Sequence, residues 1–429
     1  MSAVLGLLQY LGLEQALSPW VSQTLPGEAF ANLRQRNQFA TLTSIGLVAL
    51  IALAGWSTRA APAARLPGGW FSVVAVLLAL GNASSGSRTG LLQWLLIPLL
   101  TAWWTLPGRR HLLVLALQAL QALLAYAIAV LSLPWLLELV SGTRSGGLFG
   151  RLTEAPTCES RKILWSNVLT LITQKPWLGW GWGELDYAHF ITVYQGPRFC
   201  AMLDNAHNLP LQLAVELGLP AAVALCGGAG WLVWRAQPWR EADGGRQMAW
   251  GVLAVIGLHS LLEYPLWYGP FQLAVGLCLW LLWPSSQKFK ENRPLAQYLQ
   301  ALIAVILIAT LACLAVSYYR VSQIYLPPEA RSAAYHADTL AKIQGSWLFQ
   351  DQVRFAELSI TTLKPENAQA MHAMALELLH YSPEPRVVEK LIESAVMLGR
   401  DEEAAQYLAR FRAAYPEAHA RWRQAHAAP

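Results

Sequence analysis

Two residue types in this 429-residue chain stand where they can do chemistry: a histidine at the point where a polar run enters an apolar helix, and arginines at the ends of apolar stretches. The histidine is His207, in Leu203-Asp204-Asn205-Ala206-His207-Asn208-Leu209-Pro210-Leu211-Gln212-Leu213-Ala214-Val215-Glu216-Leu217-Gly218. Pro210 fits the first turn of a helix, where a missing N–H costs nothing. His207 therefore sits at or just before a helix N-terminus. The positive end of the helix dipole disfavours imidazolium, so a neutral imidazole able to accept a proton fits this position. The plainer alternative is a helix cap made by Asp204, Asn205 and Asn208, with His207 as interfacial filler.

Arg88 lies in Ala83-Ser84-Ser85-Gly86-Ser87-Arg88-Thr89-Gly90, between two apolar stretches. A guanidinium there, among small residues, offers a fork for a phosphate or diphosphate; the alternative is a snorkelling interfacial arginine. Arg161, in Ser160-Arg161-Lys162-Ile163-Leu164-Trp165, opens an amphipathic segment that ends at Pro176. The run Trp177-Leu178-Gly179-Trp180-Gly181-Trp182-Gly183 follows. Its glycines allow close backbone approach and its tryptophans suit either a sugar face or a membrane interface. Arg34 and Arg36, in Asn32-Leu33-Arg34-Gln35-Arg36-Asn37-Gln38, suit lipid headgroups or a lipid diphosphate, or are ordinary interfacial charges. Glu184 and Asp186 are spaced to ligate a divalent cation, but nothing nearby completes a site, so no metal is expected. Glu216 reads as an intramembrane carboxylate in need of a partner. Glu263, in His259-Ser260-Leu261-Leu262-Glu263-Tyr264-Pro265-Leu266, returns to the same rim, protonated or paired with an arginine. With no GxSxG elbow, P-loop or zinc-type Cys/His cluster, nucleotide hydrolysis and zinc chemistry are not expected. No cofactor and no nucleic-acid partner are expected.

The elements that must position these residues are set by composition. The chain is 55% hydrophobic and 13% charged, with 20 tryptophans; soluble domains carry about 25% charged residues. This implies a polytopic membrane protein, and the net charge of +5 says little because charge in such a protein is sorted by side. Apolar spans are expected at about 39–56, 70–84, 88–105, 112–136, 209–234, 248–263, 269–285 and 297–317, giving about eight helices. The connections with Arg59 and Arg65, with Arg109 and Arg110, with Arg235, Arg240 and Arg246, and with Lys288, Lys290 and Arg293 alternate so that all four can be cytoplasmic. His207 then lies on the outer side, together with the N-terminal segment, the loop from about 137 to 208 and the C-terminal tail. That loop retains Arg144, Arg151, Arg161, Lys162, Lys175 and Arg198. Either an anionic partner binds there, with Arg198 among its contacts, or the loop is long enough to cross regardless of charge. Cys158 and Cys200 share the outer loop and are candidates for a disulfide in an oxidising compartment. Cys226, Cys278 and Cys313 fall in apolar spans and read as packing residues.

The resulting expectation is an all-α bundle. Residues 1–38 form an outer or interfacial segment, 39–136 the first membrane helices and 137–208 the large loop. Residues 209–317 form the second group of helices and 318–429 a soluble helical domain. Met1–Leu13 is apolar but too short to span and lacks signal-peptide features. Past about 318, amphipathic helices are expected at about 329–344, 347–362, 366–380, 384–398 and 401–413. The Tyr381–Ala418 stretch looks like tetratricopeptide-type pairing, suited to docking rather than chemistry.

Together these stretches resemble the O-antigen ligase and polymerase superfamily of bacterial inner membranes, above all its pilin-glycosylating protein O-oligosaccharyltransferases. The resemblance is carried by Asn32–Ala40, Ser84–Gly90, Arg161–Gly183, Asp204–Gly218 and His259–Pro270, over most of residues 30–285. It implies transfer of a glycan from undecaprenyl diphosphate to a hydroxyl at the periplasmic face, without nucleotide or metal. Membrane lipids and an acceptor protein such as pilin are the other partners. The family's loop histidine maps onto His207 and its diphosphate-binding arginines onto Arg88 and Arg161, with Arg36, Asn208, Arg198 and Glu263 as candidate substrate contacts. Two departures stand out. The ligase pattern of His, Asn, nine residues, Gly, two residues and Gly, Thr or Tyr is met at His207, Asn208 and Gly218, but Ala221 occupies the last position. Family members also carry about four further helices before the stretch matching Met1, so the chain reads as N-terminally short, with Met1–Leu13 the end of a missing span. The alternatives are ligation or polymerisation onto a glycan acceptor, and a non-catalytic glycan-lipid transporter.

Overall fold

Runs of leucine, alanine and valine without turn residues dictate helices, and among the described residues every regular element is helical. The computed structural model describes residues 1–59, 69–105, 110–144, 146–153, 158–283 and 293–427. Arg65, Arg109, Lys288 and Lys290 lie outside the described residues, as do the side chains of Arg59, Arg110, Arg151 and Arg293.

The chain divides into two units. The first comprises residues 1–157, 206–213 and 221–283; the second comprises 158–205, 214–220 and 284–429. The first unit holds α1 (Ser2–Tyr10), α2 (Arg36–Arg59), α3 (Trp70–Ser84), α4 (Arg88–Thr105), α5 (Arg110–Ser141) and α6 (Gly147–Thr153). α7 (Arg161–Gln174) and α8 (Leu185–Ile191) belong to the second unit. Two helices follow across the boundary residues, α9 (Leu209–Leu217) and α10 (Leu219–Ala236). α11 (Gly244–Ser260) and α12 (Gly269–Leu282) return to the first unit. The second unit then holds α13 (Arg293–Ser322), α14 (Thr339–Ile343), α15 (Gln350–Ile360), α16 (Ala368–Tyr381), α17 (Pro385–Met397), α18 (Asp401–Ala414) and α19 (Pro416–Ala427).

In the first unit, α2, α3, α4, α5 and α11 pack around a core that includes Phe39, Leu47, Trp94, Ala119, Leu133 and Val255. A buried polar column runs through it. Ser44 Oγ donates to Gln93 Oε1 (2.9 Å), and Gln93 Nε2 donates to Thr41 Oγ1 (2.8 Å) and to the Val255 carbonyl (3.1 Å). Thr41 Oγ1 lies 2.9 Å from His259 Nδ1. Asn82 Nδ2 donates to the Ala40 carbonyl at 2.8 Å. Gly90 lets α4 come this close, because a Cβ there would overlap Asn82 Oδ1 and Ala40.

Four described helices are long and apolar enough to cross a membrane: Arg36–Ser57, Val114–Ser141, Leu219–Arg240 and Gln297–Tyr325. They correspond to four of the expected spans. Trp70–Ser84 and Gly269–Leu282 are apolar but shorter, α11 has 17 residues, and α4 carries Pro98 inside it. The expected single span over 209–234 is two helices. Gly218, at φ +86°, separates α9 from α10 because its left-handed backbone cannot continue a helix. Every residue from 297 to 316 is exposed within the chain. An apolar surface of that length needs lipid or protein to cover it.

In the second unit, α15–α19 pair successively, with α8 packed against α16 and α18. Val387, Val388, Leu391 and Ile392 of α17 form the centre of this core. The expected helix at 329–344 is mostly short turns, with α14 the only α-helical part, whereas α19 was not expected.

Candidate active site

His207 is held from three directions. Asn208 caps α9: its Oδ1 accepts the Leu211 N–H at 3.0 Å and its Nδ2 donates to the Leu261 carbonyl at 2.9 Å. The Ala206 N–H donates to Gln212 Oε1, one turn into the helix, at 2.7 Å. Between these anchors His207 adopts φ +49°, a left-handed conformation that a non-glycine residue holds only where its surroundings over-determine it. The ring meets Tyr264 edge-on, centroids 5.0 Å apart.

The side chain is aimed at a carboxylate. His207 Nδ1 lies 2.7 Å from Glu263 Oε2, and Glu263 is buried, 7% exposed. A buried carboxylate needs donors, and Glu263 has a second one: Asn37 Nδ2 donates to Oε1 at 3.1 Å. Asn37 in turn accepts, through Oδ1, the hydroxyl of Ser87 at 2.6 Å. Ser87 Oγ also accepts the Gly90 N–H at 3.0 Å, as the cap of α4. Arg88 is the next residue, exposed at the start of α4. One hydrogen-bonded line thus runs from the imidazole through Glu263, Asn37 and Ser87 to the helix start that bears Arg88. All its members belong to the first unit. The N-termini of α2 and α4 meet along it, and their dipoles favour an anion.

The arrangement allows a defined division of labour. Glu263 accepting from Nδ1–H fixes the tautomer in which Nε2 is the basic nitrogen. Arg36, at the start of α2, is paired with Glu28 at 3.0 Å. Sequence reasoning placed His207, Asn208, Glu263 and Arg88 at one rim but did not single out Asn37, Ser87 or Gln212. The signals available were Asn37 beside Arg36 at the first span's edge and Ser87 three residues before Gly90.

The remaining candidates lie in the second unit. Arg161 is half-buried at the start of α7. Arg198 donates to the carbonyls of Thr192 (2.9 Å) and His189 (2.8 Å), bracing its loop. Cys158 and Cys200 are joined in a disulfide, Cα atoms 5.5 Å apart. Glu216 finds its partner in the Trp-Gly run: its Oε1 accepts the Gly183 N–H at 2.9 Å, while the Gly181 N–H reaches the Glu216 carbonyl at 3.0 Å. Glu184 Oε2 lies 2.6 Å from His380 Nδ1, and the His380 ring stacks on Tyr187. Asp186 is buried, and burial pushes its carboxyl up to about 7, with Glu184 and Asp204 adding to the effect. Burial, then the Arg198 charge, pushes His189 down to about 3. Among the described residues, no cluster of three His, Cys, Asp or Glu is arranged for a metal ion.

Three family models match in order along the chain. Protein glycosylation ligase matches residues 29–54, O-antigen ligase 73–226, and the C-terminal part of the virulence factor membrane-bound polymerase 247–428. A general O-oligosaccharyltransferase of Acinetobacter baylyi is 26% identical over 289 residues, covering 66% of this chain and 48% of the relative. A ComP-specific O-oligosaccharyltransferase of the same organism is 24% identical over 282 residues, covering 63% and 46%. The chain thus spans about half the length of these curated relatives. No solved structure matches it. Arg88 and His207 fall within the stretch similar to O-antigen ligase, and Glu263 within the stretch similar to the membrane-bound polymerase.

Proposed function

We propose that the chain is a glycosyltransferase of the bacterial inner membrane. It moves an oligosaccharide from undecaprenyl diphosphate to a serine or threonine hydroxyl of a periplasmic protein such as pilin. The observation that carries this reading is the line from His207 Nδ1 through Glu263 and Asn37 to Ser87, beside Arg88. His207 Nε2 takes the proton of the acceptor hydroxyl as its oxygen attacks the sugar C1. The C1–O bond to phosphate breaks, and the diphosphate leaves with the electron pair, its charge stabilised by Arg88. Arg161 is assigned to the same phosphates on the sequence pattern. Because diphosphate is already a good leaving group, the base contributes on the order of 10²–10⁴-fold. The similarity of residues 29–54 to protein glycosylation ligase supports a protein acceptor, the sorting of Lys and Arg supports a periplasmic His207, and the Cys158–Cys200 disulfide suits that compartment. The C-terminal helices are suited to presenting the acceptor.

A glycan acceptor is the second reading, favoured by the O-antigen ligase match over residues 73–226. The test is the intact mass of pilin from cells expressing the chain, with and without His207→Ala, beside a lipopolysaccharide gel. A glycan-sized mass lost in the variant, with lipopolysaccharide unchanged, supports protein transfer. Altered lipopolysaccharide with unmodified pilin supports the glycan acceptor. Glycosylation unaffected by His207→Ala overturns the role given to His207.

A further inference from the structure

The geometry points to Asn37 as a positioning residue that holds the Glu263–His207 pair in its working state and ties it to the α4 start that carries Arg88. This rests on the glycosyltransferase reading above.

An amide has a fixed polarity: its carbonyl only accepts and its NH₂ only donates. Asn37 uses both ends, accepting from Ser87 Oγ at 2.6 Å and donating to Glu263 Oε1 at 3.1 Å. The amide therefore meets Glu263 Oε1 as an acceptor, and the carboxylate form leaves Oε2 able to accept as well. The second carboxylate oxygen then takes the His207 Nδ1–H, 2.7 Å away. Hydrogen bonds to the ionised form of an acid favour that form. Without Asn37, Glu263 is a buried acid lacking one of its donors, and its aim at His207 Nδ1 is weakened. Ser87 constrains the other side. Its lone pairs take the Gly90 N–H of the helix cap, so its proton is directed to Asn37. A shift of α4 at Arg88 is thereby felt at the carboxylate through two hydrogen bonds. The other charged or titratable groups on the segments that meet here, residues 28–41, 84–90, 206–213 and 259–268, are Glu28, Arg34, Arg36, Arg88, His259, Tyr264 and Tyr268, all left unchanged in the test.

The test compares Asn37→Ala, Asn37→Asp and His207→Ala in the full chain in lipid nanodiscs. The assay uses undecaprenyl-diphosphate-linked oligosaccharide from the producing cells and purified pilin. A positioning role predicts that Asn37→Ala melts like the parent and keeps the KM for the lipid donor within about two-fold, while kcat falls about 10- to 100-fold. Asn37→Asp places a second carboxylate against Glu263. The added negative charge raises the pH at which His207 becomes reactive by about one unit or more. That shift is read without turnover, from the pH dependence of diethyl pyrocarbonate modification of the His207 peptide. A parent-like kcat in Asn37→Ala, or a raised donor KM with kcat unchanged, overturns the proposal. An unchanged His207 modification profile in Asn37→Asp overturns it as well, whether or not transfer is observed. If His207→Ala transfers as well as the parent, the glycosyltransferase role of His207 fails, and the modification profile alone then decides whether Asn37 positions the pair.

Discussion

Glu263 accepts from His207 on one carboxylate oxygen and from Asn37 on the other, so residues 56 and 226 positions distant in sequence fix one side chain. The pair resembles the carboxylate–imidazole half of a hydrolase triad in logic, with a sugar-bearing diphosphate as the electrophile in the proposed reaction. Glu263→Gln keeps the size of the side chain but removes the negative charge opposite Nδ1. Its expected outcome is a fall in kcat of about 10²-fold or more with folding intact, measured as initial transfer rates from lipid-linked donor to pilin.

Arg88 is expected to act through geometry as well as charge. Arg88→Lys keeps the positive charge at the start of α4 but loses the planar fork that matches phosphate oxygens. The KM for lipid donor should rise about 10-fold in Arg88→Lys, with kcat also lowered, and further in Arg88→Ala. Thermal melting should be unaffected, because Arg88 is exposed.

Asp186 gives a pH-dependent stability with a definite sign. Its carboxyl is pushed from an ordinary value of 3.8 up to about 7 in the folded chain. Between those values the native state holds the extra proton, so the contribution is present at acid pH and is lost as pH rises through about 7. Asp186→Asn should melt like the parent at pH 4 and above it at pH 8, by on the order of 4 kcal/mol. His189 runs the other way, being pushed down to about 3, but it is common to both proteins and cancels in the difference. Melting curves in nanodiscs at pH 4, 6 and 8 check this; a gap that shrinks with rising pH contradicts it.

Gly218 is the hinge between α9 and α10. Its φ of +86° strains any side chain, and a Cβ there would overlap the Trp177 carbonyl. The Leu219 N–H also donates to the Pro176 carbonyl at 2.8 Å, so the two strands of chain have no room to separate. Gly218→Ala should destabilise by about 1–3 kcal/mol, seen as a lower melting temperature and faster proteolysis within the Trp177–Gly183 run.

The parts of the site that sequence made legible are those written in local signals. Pro210 after Asn208 marks the start of α9, and the Ser87-Arg88 step marks the start of α4. Glu263 stood out because a carboxylate at an apolar rim needs a reason. What stayed hidden depends on partners far along the chain. Asn37 is one polar residue in a polar run until α4 and the end of α11 are placed beside it. Glu216 read as a carboxylate buried in the bilayer; its partner is a backbone N–H of Gly183, which no side-chain pattern announces. The break at Gly218 was masked because α9 and α10 are both apolar, and hydropathy cannot distinguish one long helix from two.

The polar column of the first unit bears on how the chain enters the bilayer. Thr41 and Gln93 reach their last partners, His259 and the Val255 carbonyl, only on α11. Until residues 244–260 have been made, the helices already inserted carry hydrogen-bonding groups with no mate, at a depth where water is scarce. Val255 lies 162 residues beyond Gln93, so that bond closes only after a long stretch of further synthesis. A chain that stops before α11 therefore leaves one Gln93 N–H and the Thr41 hydroxyl without the partners they have in the finished bundle.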